Sequence, residues 1–236
     1  MDYWNHFKCI NNCHFKVKIN KNRIVILGCG ESGIGSSLLA KKKGYSVYVS
    51  DNGIIKEKYK NILKTNKIDW EENSHNKKKL IDADLIIKSP GINNNNSIIK
   101  FLFKNKIPVI SEIEFAFKNT NAKLICITGT NGKTTTSSLI YKILKDFGYN
   151  VGLAGNIGDS FAKKVANENF DYYVLEISSF QLENIIDFRP DISVITNISN
   201  DHLDHYDNNF DKYLDTKLKI FINQSEDNFL VYNSDD

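Results

Sequence analysis

At 236 residues, 41% hydrophobic and 25% charged, the chain has the apolar content for one large or two moderate globular domains and shows no signature of disorder. Its net charge of +3 arises from lysines scattered through every segment, with no basic stripe, so nucleic acid is not expected as a partner. No apolar run approaches the roughly 20 residues of a membrane span. The opening Met-Asp-Tyr-Trp-Asn-His-Phe-Lys-Cys also lacks the unbroken apolar stretch of a signal peptide, so no membrane partner and a cytoplasmic location are expected.

Residues 1–22 read as an N-terminal tail. It carries His6, Cys9, Cys13 and His14, the residue types of a zinc site without the C-x₂-C spacing, and a flexible tail is the simpler account. With Cys29 and Cys126 in or beside apolar strands, the four cysteines read as reduced thiols.

A first alternation of strand and helix follows. Residues 23–27 form a short apolar strand, 28–33 a glycine turn, 36–43 the body of a helix ended by Gly44, and 45–50 the next strand. Residues 84–88 read as a buried strand running into Ser89-Pro90-Gly91, 98–105 as a helix and 108–110 as a strand. Asn93 to Asn96 make a surface loop, and residues 112–121 carry the chain out of this unit, with a boundary near 118. A second alternation places strands at 124–128, 150–153, 172–177, 192–197 and 229–232, with helices after Lys133, over 160–167 and over 210–223. Strands separated by helices predict an α/β fold with parallel sheets.

Four strand ends carry chemistry. Gly28-Cys29-Gly30-Glu31-Ser32-Gly33 matches G-x-G-x-x-G between a strand and a helix, and Asp51 closes the following strand. Such a turn brings backbone close to a diphosphate, and the motif leaves NAD(H) and a UDP-sugar both open, beside a purely structural tight turn. Gly129-Thr130-Asn131-Gly132-Lys133-Thr134-Thr135 follows an apolar strand and opens a helix. Its glycines let N–H groups converge on phosphate, Lys133 adds charge and Thr134 offers a hydroxyl to Mg²⁺. The general P-loop would put its first glycine where Ile127 stands, so this is a shortened variant. Glu176 ends a buried strand where open α/β sheets place their ligands, and a cation is what would pair it. His202 lies in the loop after the 192–197 strand as a possible metal ligand, with His205 a weaker one. Lys217, taken alone, reads as part of a solvated helix face.

Gly129 to Thr134, Gly155-Asn156-Ile157-Gly158, Glu176-Ile177-Ser178-Ser179-Phe180-Gln181-Leu182-Glu183 and Asn197-Ile198-Ser199-Asn200-Asp201-His202-Leu203-Asp204 together resemble the ATP-dependent Mur ligases of peptidoglycan synthesis. Ser178 to Glu183 resemble the D-glutamate-adding branch in particular, and the likeness runs from Arg23 to the last residue. The resemblance implies a Rossmann-like UDP-substrate domain over 23–118 and a P-loop-type ATP-binding central domain over 119–236. It also implies that the chain stops before that domain's last strands and that the family's C-terminal domain is absent. It further implies an ATP-dependent acid–D-amino-acid ligase, working as a monomer, that joins D-glutamate to UDP-MurNAc-L-Ala through an acyl phosphate. ATP is expected at Gly129, Thr130, Asn131, Gly132, Lys133, Thr134 and Thr135, and Mg²⁺ at Thr134, Glu176, His202 and Lys217 as a carbamate. Substrate is expected at Ser32, Asp51, Ser89, Pro90, Gly91, Asn156 and His202, with Lys133, His202 and Lys217 catalytic. Glu31 and Asn52-Gly53 depart from the leucine and Thr-Arg of the family pattern. The alternatives are another Mur-type or folylpolyglutamate-type ligase, or an inactive nucleotide-binding fragment.

Overall fold

The computed structural model describes residues 22–235, so the Cys9/Cys13 tail lies outside the described residues. Two five-stranded sheets are formed, and every strand pairing is parallel. The first contains β1 (Arg23–Leu27), β2 (Ser46–Ser50), β3 (Asp69–Glu71), β4 (Leu85–Lys88) and β5 (Val109–Ser111), in the order β3-β2-β1-β4-β5. The second contains β6 (Lys123–Thr128), β7 (Val151–Gly155), β8 (Tyr172–Glu176), β9 (Ile192–Ile195) and β10 (Phe229–Tyr232), in the order β10-β9-β6-β8-β7. Ile24 to Leu27 are fully buried, as a strand covered on both faces requires. In each sheet the order reverses beside one strand, β1 in the first and β6 in the second. The crevice at the carboxyl end of such a strand is where open α/β sheets take ligands. Both glycine loops follow these strands.

The helices are α1 (Glu31–Lys42), α2 (Glu57–Thr65), α3 (Lys77–Ile81), α4 (Ser97–Lys104), α5 (Glu112–Phe117), α6 (Lys133–Asp146), α7 (Phe161–Asn167), α8 (Ser179–Leu182) and α9 (Phe210–Leu218). Three findings differ from the sequence expectation. Helix α1 begins at Glu31, inside the predicted glycine turn, because Gly33 packs on the turn itself: a Cβ there would lie 2.0 Å from the Gly28 carbonyl oxygen. The helix predicted over 210–223 tightens after Leu218 into a 3-10 turn, Lys219–Phe221. The stretch expected to lead out of the first unit is instead α5, capped by the Ser111 hydroxyl on the Glu114 N–H, and it is buried from Glu112 to Ala116.

That burial joins the two sheets. One apolar cluster runs from Ile24 and Ile26 through Phe115 and Ala116 to Phe161, Tyr173 and Leu175. Helix α1 lies on α7 so closely that a Cβ at Gly35 would sit 2.1 Å from Ser160 Oγ. Lys163 bonds Glu31 at 2.8 Å and Asp159 at 2.7 Å, and Lys42 donates to the Ala166 carbonyl. The buried carboxylates of α5 serve backbone donors of the second unit. Glu112 accepts from Ala162 N at 2.5 Å, and Glu114 accepts from the N–H groups of Ile186, Asp187 and Phe188. Among the described residues no helix is long and apolar enough to cross a membrane.

Candidate functional site

The loop after β6 is shaped by its glycines. Gly129 has φ +147° and Gly132 φ +80°, and a Cβ at Gly129 would sit 2.0 Å from Thr196 Oγ1. Thr130 N donates to the Asn197 carbonyl at 2.8 Å, and Asn131 N to Asn197 Oδ1 at 2.9 Å, which ties the loop to the end of β9. The Thr130 hydroxyl meets the Tyr213 hydroxyl at 3.1 Å. Gly132 caps α6, whose N-terminal dipole faces the loop, and Lys133 folds back to donate to the carbonyls of Gly129 and Thr130. Thr134 and Thr135 are exposed in the first turn of α6.

Glu176, only 3% exposed, ends β8 beside this loop. Its Oε2 accepts the Thr134 hydroxyl at 2.7 Å, and its Oε1 accepts Asn156 Nδ2 at 2.9 Å. Asn156 N also donates to the Glu176 carbonyl. Gly155 makes this approach possible, with φ +107° and no Cβ, which would stand 2.2 Å from that carbonyl oxygen. A hydroxyl and a carboxylate are the hard oxygen donors that Mg²⁺ takes, so Thr134 and Glu176 fit that ion.

Lys217, read in isolation as part of a solvated face, is instead 2% exposed. Its Nζ donates to the Gly129 carbonyl at 2.8 Å and lies 4.7 Å from the Tyr213 ring centroid. Burial, then the charge of Lys133, push its pKa down to about 8, against the pull of Asp201. As an ammonium it repels a cation, and it fits one only after conversion to an anion. His202 is held by neighbours of its own. It takes a left-handed φ of 49°, its imidazole is 3.5 Å from Asp201, and its ring packs 5.2 Å from Phe180. Among the described residues no three His, Cys, Asp or Glu side chains gather as a metal site.

The first-sheet residues form a second cluster. Gly28 has φ +87°, and a Cβ there would lie 2.7 Å from Ser89 Oγ, so the glycine turn and the Ser89-Pro90-Gly91 loop are in contact. Asp51 accepts Cys29 N–H at 2.6 Å and Gly53 N–H at 2.8 Å, bracing the turn from β2. Ser32 and Pro90 are half-buried and Gly91 is exposed. Glu31 is turned toward Lys163 of α7. Burial, helped by Asp51, raises the Cys29 thiol to about 12, which leaves it inert.

Sequence reasoning gave no role to Lys88, Asn93 or Glu183 and only a weak one to His205. The structure links Lys88 to Glu183 at 3.3 Å and Glu183 to His205 at 2.5 Å. The available signal was a lysine ending an otherwise apolar buried strand.

Residues 23–98 match the family model described as the MurD N-terminal domain, and residues 127–236 match the Mur ligase middle domain. Proteins named UDP-N-acetylmuramoylalanine–D-glutamate ligase are 55% identical over 214 residues in Bacteroides fragilis and 47% over 216 in Porphyromonas gingivalis. These alignments cover 90% and 92% of this chain and 48% of each relative. The chain thus spans about half the length of the curated relatives it matches. Among solved structures, the Neisseria meningitides UDP-N-acetylmuramate:L-alanyl-gamma-D-glutamyl-meso-diaminopimelate ligase superposes with a TM-score of 0.59 at 20% identity, covering 91% of this chain and 72% of that one. The Thermotoga maritima UDP-N-acetylmuramate-alanine ligase MurC gives 0.57 at 23%, covering 91% and 49%. At these identities the superpositions establish the fold alone. With both family models matched in order along one chain, and relatives at about half identity over nine-tenths of it, the chain belongs to the Mur ligase family.

Proposed function

We propose that this chain holds UDP-MurNAc-L-Ala at the loops of its first sheet and MgATP at the loop after β6, for a reaction that joins D-glutamate to the alanine carboxylate. The two units meet near residue 118, the first serving the UDP substrate and the second ATP. The observation that carries this reading is the Thr134–Glu176 bond at 2.7 Å. It sets a buried carboxylate and a hydroxyl at the mouth of a lysine-bearing phosphate loop. The names of the relatives support D-glutamate as the added amino acid.

A carboxylate resists attack by an amine because its leaving group would be oxide. Phosphoryl transfer from ATP to the alanine carboxylate gives an acyl phosphate, the D-glutamate amine attacks its carbonyl, and phosphate departs. In this reading Lys133 leaves its loop carbonyls to meet the transferring phosphoryl oxygens, where a fixed charge is worth most. Asn156 orients Glu176, and the α6 N-terminus supplies further positive potential. Mg²⁺, held by Thr134, Glu176, His202 and carbamylated Lys217, would neutralise charge building on the phosphoryl group.

Titration calorimetry tests this assignment on the chain as it is. Binding of UDP-MurNAc-L-Ala and MgATP, with no heat from NADH, is the expected result. Tight NADH binding at the first-sheet loops would replace the ligase reading with a dinucleotide one.

A further inference from the structure

Lys88 closes β4 with a side chain 1% exposed, and its bonds lead across the seam. It donates to the carbonyl of Ile92, just past Ser89-Pro90-Gly91, and to Glu183 Oε2 at 3.3 Å. Glu183, 8% exposed, follows α8 in the second unit and meets His205 Nε2 through Oε1 at 2.5 Å. With Nε2 donating there, His205 Nδ1 is left to accept from Asn93 Nδ2 at 3.3 Å, and the His205 carbonyl accepts from the same nitrogen at 3.4 Å. Asn93 is the neighbour of Ile92, so the circuit closes on the loop where it began. Lys219 steadies the far side by donating to the Glu183 carbonyl.

The loop over 89–93 is therefore held near both ends by one carboxylate and one imidazole of the other unit. A buried lysine and glutamate each leave an uncompensated charge if separated, so the pair tolerates little slack. His205 lies in the same short turn as His202, and Ser89 and Ile92 lie against Gly28 of the glycine turn after β1.

We propose that Lys88, Glu183, His205 and Asn93 form a clasp fixing the Ser89–Gly91 loop against the turn that carries His202, and thereby setting where a UDP-linked carboxylate sits relative to the phosphate loop. This rests on the ligase reading above. The four are positioning residues, acting through the loops they join. The phosphate loop has its own ties to Asn197 and Tyr213 and does not depend on the clasp.

The test combines hydrogen exchange with calorimetry on this chain and its Lys88→Met, Lys88→Arg and Lys88→Met/Glu183→Leu variants. The double variant removes both buried charges, so it keeps the fold even if the single one does not. In Lys88→Met and in the double variant, the amides of Ile92 and Asn96 and those of His205 and Asn208 are expected to exchange about tenfold faster together, while β6 amides hold. UDP-MurNAc-L-Ala should bind about tenfold more weakly in both, with MgATP affinity unchanged, and Lys88→Arg should restore most of the loss. Faster exchange on one side of the seam only, or equal UDP-MurNAc-L-Ala affinity in the double variant, overturns the clasp while leaving the ligase reading intact. An unsubstituted chain that binds neither UDP-MurNAc-L-Ala nor MgATP overturns the ligase reading, and the clasp's role with it.

Discussion

Lys133 and Lys217 donate to one acceptor, the carbonyl oxygen of Gly129, each at 2.8 Å. Lys217 is the buried one, and burial, then the nearby charge of Lys133, lowers its pKa to about 8. Below that value it is mainly charged, and above it mainly the neutral amine that can attack CO₂. In ¹³C-bicarbonate, a carbamate resonance is expected at pH 8.5, weakened at pH 6.5 and missing from Lys217→Ala. A spectrum at pH 8.5 identical to that of Lys217→Ala would show that Lys217 stays an amine.

Lys133→Ala removes the other member of the pair. A charge-assisted contact to phosphate contributes roughly 1.5–3 kcal/mol, so MgATP affinity should fall by at least about tenfold. Calorimetry that finds the same dissociation constant would place ATP elsewhere. The substitution should also raise the pKa of Lys217, because a neighbouring positive charge is removed.

Glu112 supplies a pH signature at the seam. Burial raises its pKa to about 7, with the Ala162 N–H drawing it the other way. Between the ordinary carboxyl value and pH 7 the folded state binds more protons than the unfolded one, so this group makes stability fall as pH rises through that window. Glu112→Gln cannot ionise. Its melting temperature relative to the parent chain should therefore climb between pH 5 and pH 8, by several degrees for a shift worth on the order of 3 kcal/mol. A difference that stays flat with pH would mean that Glu112 titrates normally.

Gly155→Ala forces a Cβ onto the Glu176 carbonyl at a φ of +107°, a region nearly confined to glycine. The expected cost is about 2 kcal/mol or more, together with weaker MgATP binding as Asn156 and Glu176 are pushed apart. Gly148→Ala, also at positive φ but with open space around it, is the control that isolates backbone strain from the clash. Equal melting temperatures for the two variants would show that the close approach at Gly155 does not matter.

The parts of the site that local chemistry dictates were legible in the sequence. An apolar strand running into Gly129 and Gly132 can do little else than turn sharply into a helix, and Glu176 at the end of a buried strand must find a partner. Lys217 was legible only through family likeness. Tyr213 stands one turn back on the same helix, but nothing in that helix tells that the Gly129 carbonyl, 88 residues away in sequence, will close over the lysine. Glu112 and Glu114 misled for the same reason. Charged residues after a strand suggest an exposed exit, whereas here they replace missing partners for backbone N–H groups of the other unit. The small elements α2, β3 and α3 were not among the predicted ones: β3 and α3, at three and five residues, are too short to show a period, whereas α2 carries Tyr59, Ile62 and Leu63 at helical spacing, a signal that was available and not used.

The contact between α1 and α7 has a bearing on how such chains can be recombined. Gly35 tolerates Ser160 only because it lacks a side chain, and Glu31 is matched by Lys163 across the joint. Splicing the first sheet of this chain onto the second sheet of a distant relative would therefore mismatch shape at Gly35 and charge at Glu31, though each half kept its own strands intact. The bonds that cross the seam reach on to Glu183, Phe188 and His205, so the two sheets are better exchanged together than apart.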